Sequence, residues 1–290
     1  MSNRKIEKIL TPKHFNWVGD AFYTTSFIGK DIPRTRMSPF FAVGYNADIH
    51  FSAREIPRGV GAHPHKGFET VTIAYKGKIE HKDSKGNHGV ISEGDVQWMT
   101  AGSGILHQEY HEKEFSKTGG TFQMVQIWVN LPAKDKETSP KYQNLLFNQM
   151  TRVPVSDNGS YINVITGNYL GNKGKGSTFS PLDMYNAYLK KGTKADFTFS
   201  NIWNAAILVI EGSVTVNSDI LLSKDSFAMF ENNGGDTFNL ESSSDDTIVL
   251  VMSGEPLNEP IAHYGPFVMN TQEQLAKAFE DFQNGKFGTL

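Results

Sequence analysis

The 290-residue chain contains no cysteine, which excludes disulfides, thiol catalysis and thiolate–metal sites, so any metal must be held by His, Asp, Glu or backbone oxygen. A formal charge of −3 with 20% charged residues gives no basic footprint for direct nucleic-acid binding. The first residues are polar rather than a leader segment, and no apolar run reaches the roughly eighteen residues of a membrane span, so the expectation is a soluble, cytoplasmic protein with no membrane partner.

Residues 1–20 are mixed and lead into a strand or cover one. Residues 31–39, with two prolines and two arginines, read as a loop. Residues 40–51 (FFAVGYNADIHF) are strand-like, with Gly44 and Asn46 suggesting a bend. Residues 55–61 are rich in Pro and Gly and run into His63. Residues 68–75 (FETVTIAY) are β-branched and aromatic and predict a strand. Residues 78–82 and 88–91 flank Asp83-Ser84-Lys85-Gly86-Asn87, whose residue types are those of a turn, so a hairpin is expected. A strand over 96–99 and a glycine turn over 101–104 precede His107. Residues 121–131 (TFQMVQIWVNL) form the clearest strand of the first half, and 134–142, charged and containing Pro140, read as a long loop or linker.

Residues 152–255 contain short strand-like runs at 184–189, 196–199, 205–210, 213–216, 225–230 and 247–252, separated by Asn, Gly, Ser and Asp clusters. Many short strands indicate a sandwich or barrel rather than βαβ units. The run Thr72–Ile79 (TIAYKGKI) resembles Ile207–Val214 (ILVIEGSV), and Ile91–Val96 resembles Leu222–Phe227, which suggests two β domains of one kind in tandem. Residues 271–284 (TQEQLAKAFEDFQN) predict a helix: Thr271 and Gln274 fit a capping box, Leu275, Phe279 and Phe282 form an apolar stripe, and Gly285 suits the position after the helix.

Chemistry concentrates between His63 and Glu109. Residues i and i+2 of a strand point to one face, so His63/His65 and His107/Glu109 each offer two ligand-capable side chains to one side of a sheet. Three imidazoles and a carboxylate suit a divalent transition metal, and ligand type alone does not choose among Fe, Mn, Co, Ni, Cu and Zn. Glu69, His81 and Gln126 are candidates to support the imidazoles. His14, His50, His88, His111 and His263 have no partner at ligand spacing, and His81, beside the hairpin, is expected to be solvated.

These residues resemble the cupin superfamily. His63-x-His65-x-x-x-Glu69 fits its first motif, with Gly77 near the expected place. The second motif is altered, with Thr100-Ala101-Gly102 where cupins carry Pro-x-Gly, and His107 lies further past Gly94 than usual. The strings HPHKGFETVT, HKDSKGNHGVI, GDVQWMTAGSGILHQE and HYGPFVMNT resemble the pirin family of bicupins, most strongly over 61–132 and 263–285. The resemblance implies an all-β fold of two tandem cupin (double-stranded β-helix, or jelly-roll) barrels with a short C-terminal helix. Residues 1–140 would form an N-terminal metal-binding cupin domain. Residues 141–290 would form a degenerate cupin domain plus a helix that braces the first domain.

The resemblance also implies one divalent metal ion held by His63, His65, His107 and Glu109, with Fe(II) favoured over Zn, Mn, Co, Ni or Cu. Glu69 is then not a ligand, and the second half is metal-free, in keeping with the absence of an HxH between Asp196 and Asn204. The activity implied is that of a quercetin 2,3-dioxygenase-like oxidoreductase acting on a small aromatic substrate and dioxygen. A flavonol would chelate the metal, Glu109 would act as general base, and ring opening would release carbon monoxide. Trp98, Met99, Met124 and Trp128 are candidates for an apolar substrate wall or for ordinary core. The alternative is a metal- or redox-dependent regulatory protein with a protein partner and no turnover.

Overall fold

The computed structural model describes residues 3–232 and 234–290 and groups them into two compact units. The first comprises residues 14–35, 39–148 and 257–290, and the second residues 3–13, 36–38 and 149–256. The chain is thus not divided at a single point. The second unit includes the first strand, Ile6–Leu10, and the first unit includes the last helix, Gln272–Gln283.

The barrel of the first unit is built from β1 (Phe40–Phe51), β2 (Gly59–His65), β3 (Phe68–Lys76), β4 (Ile79–Asp83), β5 (His88–Ile91), β6 (Val96–Thr100), β7 (Ile105–His111) and β8 (Gly120–Asn130). One sheet runs from the strand Lys141–Leu145 through β6, β3, β8 and β1 to two short outer strands, and the other has the order β2-β7-β4-β5. The residues expected to form a long loop near 134–142 therefore end in an edge strand, and the hairpin expected around 83–87 is present as β4–β5.

Strand β7 shows why the barrel has a chemical interior. Ile105, His107, Glu109 and His111 are buried while Leu106, Gln108 and Tyr110 are half-buried, which is the period of two of a strand with one inward face. One end of that interior is apolar, built from Phe22, Phe51, Ala74, Ile79, Ile91, Phe122 and Met124. His63, His65, His81, His107 and Glu109 cluster elsewhere in it.

Residues 257–290 pack in this unit beside the end of β2. The Lys66 amide donates to the Pro266 carbonyl (3.3 Å), and the Val268 amide donates to the Lys66 carbonyl (3.1 Å). Phe267, Met269, Leu275, Ala278 and Phe287 form a small core with Leu106 of β7. Gly104, with φ 124°, is required here because a Cβ at that position would lie 2.1 Å from the Phe287 ring. The helix carries the expected capping box of Thr271 and Gln274, and Gly285 follows it in the left-handed region (φ 71°). Its buried residues are Leu275, Ala278 and Asp281, and of the expected stripe Leu275 and Phe279 pack on that small core while Phe282 is 37% exposed. Replacing Thr271 by alanine removes the acceptor for the Gln274 amide and is expected to cost about 1 kcal/mol of stability in chemical denaturation.

The barrel of the second unit repeats the plan with β9 (Leu182–Leu189), β10 (Lys194–Thr198), β11 (Asn204–Glu211), β12 (Ser213–Val216), β13 (Ile220–Ser223), β14 (Phe227–Phe230), β15 (Thr237–Ser242) and β16 (Thr247–Gly254). Its sheets run Ile6–Leu10, β14, β11, β16, β9 and then two outer strands, and β10-β15-β12-β13, the same order as in the first unit. The repeat seen in the sequence falls on β3–β4 and β11–β12, which hold equivalent places. Strands β13 and β15 and the strand Tyr161–Thr166 are additions to the expected elements.

The strands that in the first barrel carry His63, His65, His107 and Glu109 here place Ala195, Phe197, Phe238 and Leu240 in the core. Phe238 stacks on Phe230 at 4.1 Å and on Phe197 at 5.3 Å, so rings fill this interior. The all-β fold of two tandem barrels with a short C-terminal helix is as expected. No helix among the described residues is long and apolar enough to cross a membrane.

Candidate metal centre

Strand β7 lies between β2 and β4, and the register decides what meets what. His107 stands opposite His63 on β2 and Asp83 on β4. Glu109 stands opposite His81 on β4, while a bulge in β2 shifts its other partner to Val60. The result is a group of three imidazoles, His63, His65 and His107, each with a nitrogen within 4.8 Å of the others. A second group, His81, His107 and Glu109, meets the same limit and shares His107. The ring centroids of His63 and His107 are 4.2 Å apart, and those of His65 and His107 are 4.8 Å apart.

The facing sheet presents a polar row. Gln126 of β8 pairs with Thr72 of β3, which pairs with Gln97 of β6. Gln126 Nε2 donates to Glu109 Oε2 (3.0 Å) and Gln97 Nε2 to Glu109 Oε1 (3.4 Å), so two amides from one sheet hold a carboxylate on the other. The Tyr142 hydroxyl donates to Gln97 Oε1 (3.5 Å), and the Tyr142 ring stacks on His81 at 5.0 Å.

Of the candidate supporting residues, His81 and Gln126 touch the cluster. Glu69 does not: it lies on the face of β3 opposite Thr72, where the Thr100 hydroxyl donates to it at 2.7 Å. Burial raises the Glu69 pKa to about 7, partly offset by that hydrogen bond. His81 is not solvated as expected but wholly buried, because it shares the inward face of β4 with Ile79 and Asp83. The period-two pattern Ile79-x-His81-x-Asp83 before a turn was the available signal. Nothing in the sequence alone singles out Gln97, Asp83 or Tyr142 for this cluster.

The aromatic candidates also separate by face. Met99 and Trp128 occupy the row beside the Gln97–Thr72–Gln126 row, both aligned with Thr70. The Trp128 ring meets His65 edge-on at 5.2 Å and stacks on Phe68 at 4.3 Å. Met124 belongs to the apolar end of the barrel. Trp98 alternates with Gln97 and so lies on the other face of β6. His14, His50 and His88 are exposed. His263 is half-buried against Phe41, and His111 is buried in the apolar end among Phe22, Phe51, Phe115 and Phe122.

Electrostatics favour lone pairs over protons at the cluster. Burial, with the His63 charge beside it, pushes the His65 pKa down to about 3. Burial together with His65, His63 and His81 holds His107 well below the ordinary imidazole value. Both are therefore neutral at pH 7, the form that ligates metal. His65 Nδ1 and His107 Nε2 are buried with no hydrogen-bond partner. A buried polar atom without a partner is costly. Three imidazoles within reach of one another, with His107 also within reach of the Glu109 carboxylate, fit a divalent transition metal, and this donor set can accommodate one.

Comparison with known proteins agrees with this geometry. The sequence profile of the Pirin family matches residues 22–129, and that of the Pirin C-terminal cupin domain matches residues 184–288. A Pseudomonas aeruginosa protein provisionally named a quercetin 2,3-dioxygenase is 42% identical over 284 residues, covering 98% of both chains. Pirin-1 of Arabidopsis thaliana is 38% identical over 235 residues, covering 79% of this chain and 78% of its own. The crystal structure of a quercetin 2,3-dioxygenase from Acinetobacter baumannii shares 43% identity, covers 99% of both chains and matches with a TM-score of 0.93. With both cupin halves matched and nearly the whole length covered, the chain belongs to the pirin family.

Proposed function

We propose that the chain is a metal-dependent dioxygenase of the pirin type that opens the ring of a flavonol such as quercetin, with loss of carbon monoxide. His63, His65, His107 and Glu109 would hold one divalent ion, with Fe(II) as the ion of turnover. The observation that carries this reading is the pair of buried, neutral and unpartnered imidazole nitrogens of His65 and His107, gathered with His63, while Glu109 groups with His107 and His81 two residues further along β7. The names of the Pseudomonas and Acinetobacter relatives support the same substrate class.

The ion, when bound, supplies Lewis acidity and redox capacity at the imidazole cluster. The protein's own residues supply the rest. His63 is the half-exposed member of the cluster, which favours substrate entry from its side. Trp128, half-buried and edge-on to His65, supplies an aromatic wall beside the cluster for the rings of a flavonol. Glu109 accepts the proton of the 3-hydroxyl group. The Gln126 and Gln97 amides keep that carboxylate oriented.

The test is oxygen consumption and carbon monoxide release by Fe(II)-loaded protein given quercetin. Turnover is expected for the native protein, and Glu109→Gln is expected to lower it by roughly 10²–10⁴-fold. Loaded protein that consumes no oxygen with quercetin or any other 1,2-oxygenated aromatic would overturn the reading.

A further inference from the structure

His81 and Asp83 are used by nothing above, yet both are buried and lie against the ligand cluster. His81 Nε2 is 3.2 Å from Asp83 Oδ2, and a carboxylate can only accept, so Nε2 carries the proton. On the other side of the ring, Gln97 Nε2 lies 3.3 Å from His81 Nδ1. An amide nitrogen can only donate, so Nδ1 is bare. Tyr142 fixes that amide's orientation, since its hydroxyl donates to Gln97 Oε1 while the amide nitrogen also serves Glu109. Both neighbours of His81 therefore require the same tautomer.

That tautomer constrains His107, whose Nδ1 stands 3.5 Å from the bare His81 Nδ1. Two lone pairs would repel there, so His107 must present N–H at Nδ1. Its Nε2 is then left bare, and this is the atom found buried and unpartnered. Asp83 is itself rigidly placed. Its Oδ1 accepts from the Lys85 and Asn87 amides at 2.9 and 3.0 Å, and its Oδ2 from Asn87 Nδ2 at 2.9 Å.

We propose that Asp83 and His81 are a positioning pair that sets the tautomer of His107, so that His107 offers Nε2 to the metal. The order is Asp83 carboxylate, His81 Nε2–H, His81 Nδ1, His107 Nδ1–H, His107 Nε2. Its link to metal affinity rests on the metal reading above. The tautomer itself does not. Partners of this kind fix ring orientation and make the ligating nitrogen more basic, and their removal costs about 10–100-fold in metal affinity.

The test uses full-length, metal-free protein labelled with ¹⁵N at histidine. Ring tautomers are read from two-bond ¹H–¹⁵N correlations, with His107 identified by the signals lost in His107→Asn. The expected native pattern is Nδ1–H with bare Nε2 at His107 and Nε2–H at His81. In His81→Phe, which keeps a ring against Tyr142, His107 should gain the Nε2–H form. Its Ni(II) affinity, measured by calorimetry, should fall about 10–100-fold. His81→Gln, whose amide oxygen can accept the same N–H, should retain more affinity than His81→Phe. Asp83→Asn, expected to loosen the tautomer without removing the ring, decides the matter if His81→Phe does not fold. Native His107 protonated at Nε2, or variants binding Ni(II) as tightly as the native protein, would overturn the proposal. A native protein that takes up neither Ni(II) nor Fe(II) would instead sink the metal reading, and the tautomer pattern would then decide this inference alone.

Discussion

His107→Ala is expected to leave the first barrel folded but without bound metal, lowering affinity by more than about 100-fold, the upper end of what removing a mere supporting partner costs. The reason is its place in the register. His107 sits on the central strand, opposite His63, and is the one residue common to both donor groups. Elemental analysis of native and variant protein after loading with Fe(II) gives the answer, with Glu69→Gln as control. Glu69 lies on the opposite face of β3, so the control should hold metal like the native protein. Equal metal in native protein and His107→Ala would refute the site.

The second large effect is on acid stability. Burial of His111 among phenylalanine rings pushes its pKa from 6.5 down to about 4. The unfolded chain then binds the proton more readily than the folded chain between those values. Stability contributed by the neutral ring is complete above about pH 6.5 and is lost as pH falls towards about 4. The difference between pH 7.5 and 4.5 amounts to roughly 2–3 kcal/mol. In His111→Leu this part of the acid dependence should vanish, while the share due to His65 and His107 remains. Urea denaturation of both metal-free proteins at the two pH values measures it, and parallel losses would exclude His111 as a source.

What could be read from the sequence follows from periodicity. The two i, i+2 pairs, the Asp83–Asn87 turn, the tandem repeat and the helix cap are local patterns, and each is visible without knowing its partners. The residues that complete the site are not local. Gln97 and Gln126 reach Glu109 only because two strands of one sheet align through Thr72 and face a strand of the other. His81 looks solvated beside a polar turn until β4 is known to pair with β7. Trp98 and Met99 are adjacent in sequence and opposite in face, which composition alone cannot resolve. β15 is not legible because its alternation of Phe238 and Leu240 with polar residues follows directly on an Asn/Gly cluster.

The interleaving of the two units in sequence has a consequence for biosynthesis. The segment 257–290, which supplies the Val268 and Pro266 contacts to Lys66 and the Phe287 ring over Gly104, is translated after the whole of β9–β16. A nascent chain halted at residue 256 holds every strand of the first barrel but leaves the backbone of Lys66, the residue after His65, without those partners. Emergence of the second barrel from the ribosome thus precedes completion of the first, and the cluster gains its bracing only once residues 257–290 have followed.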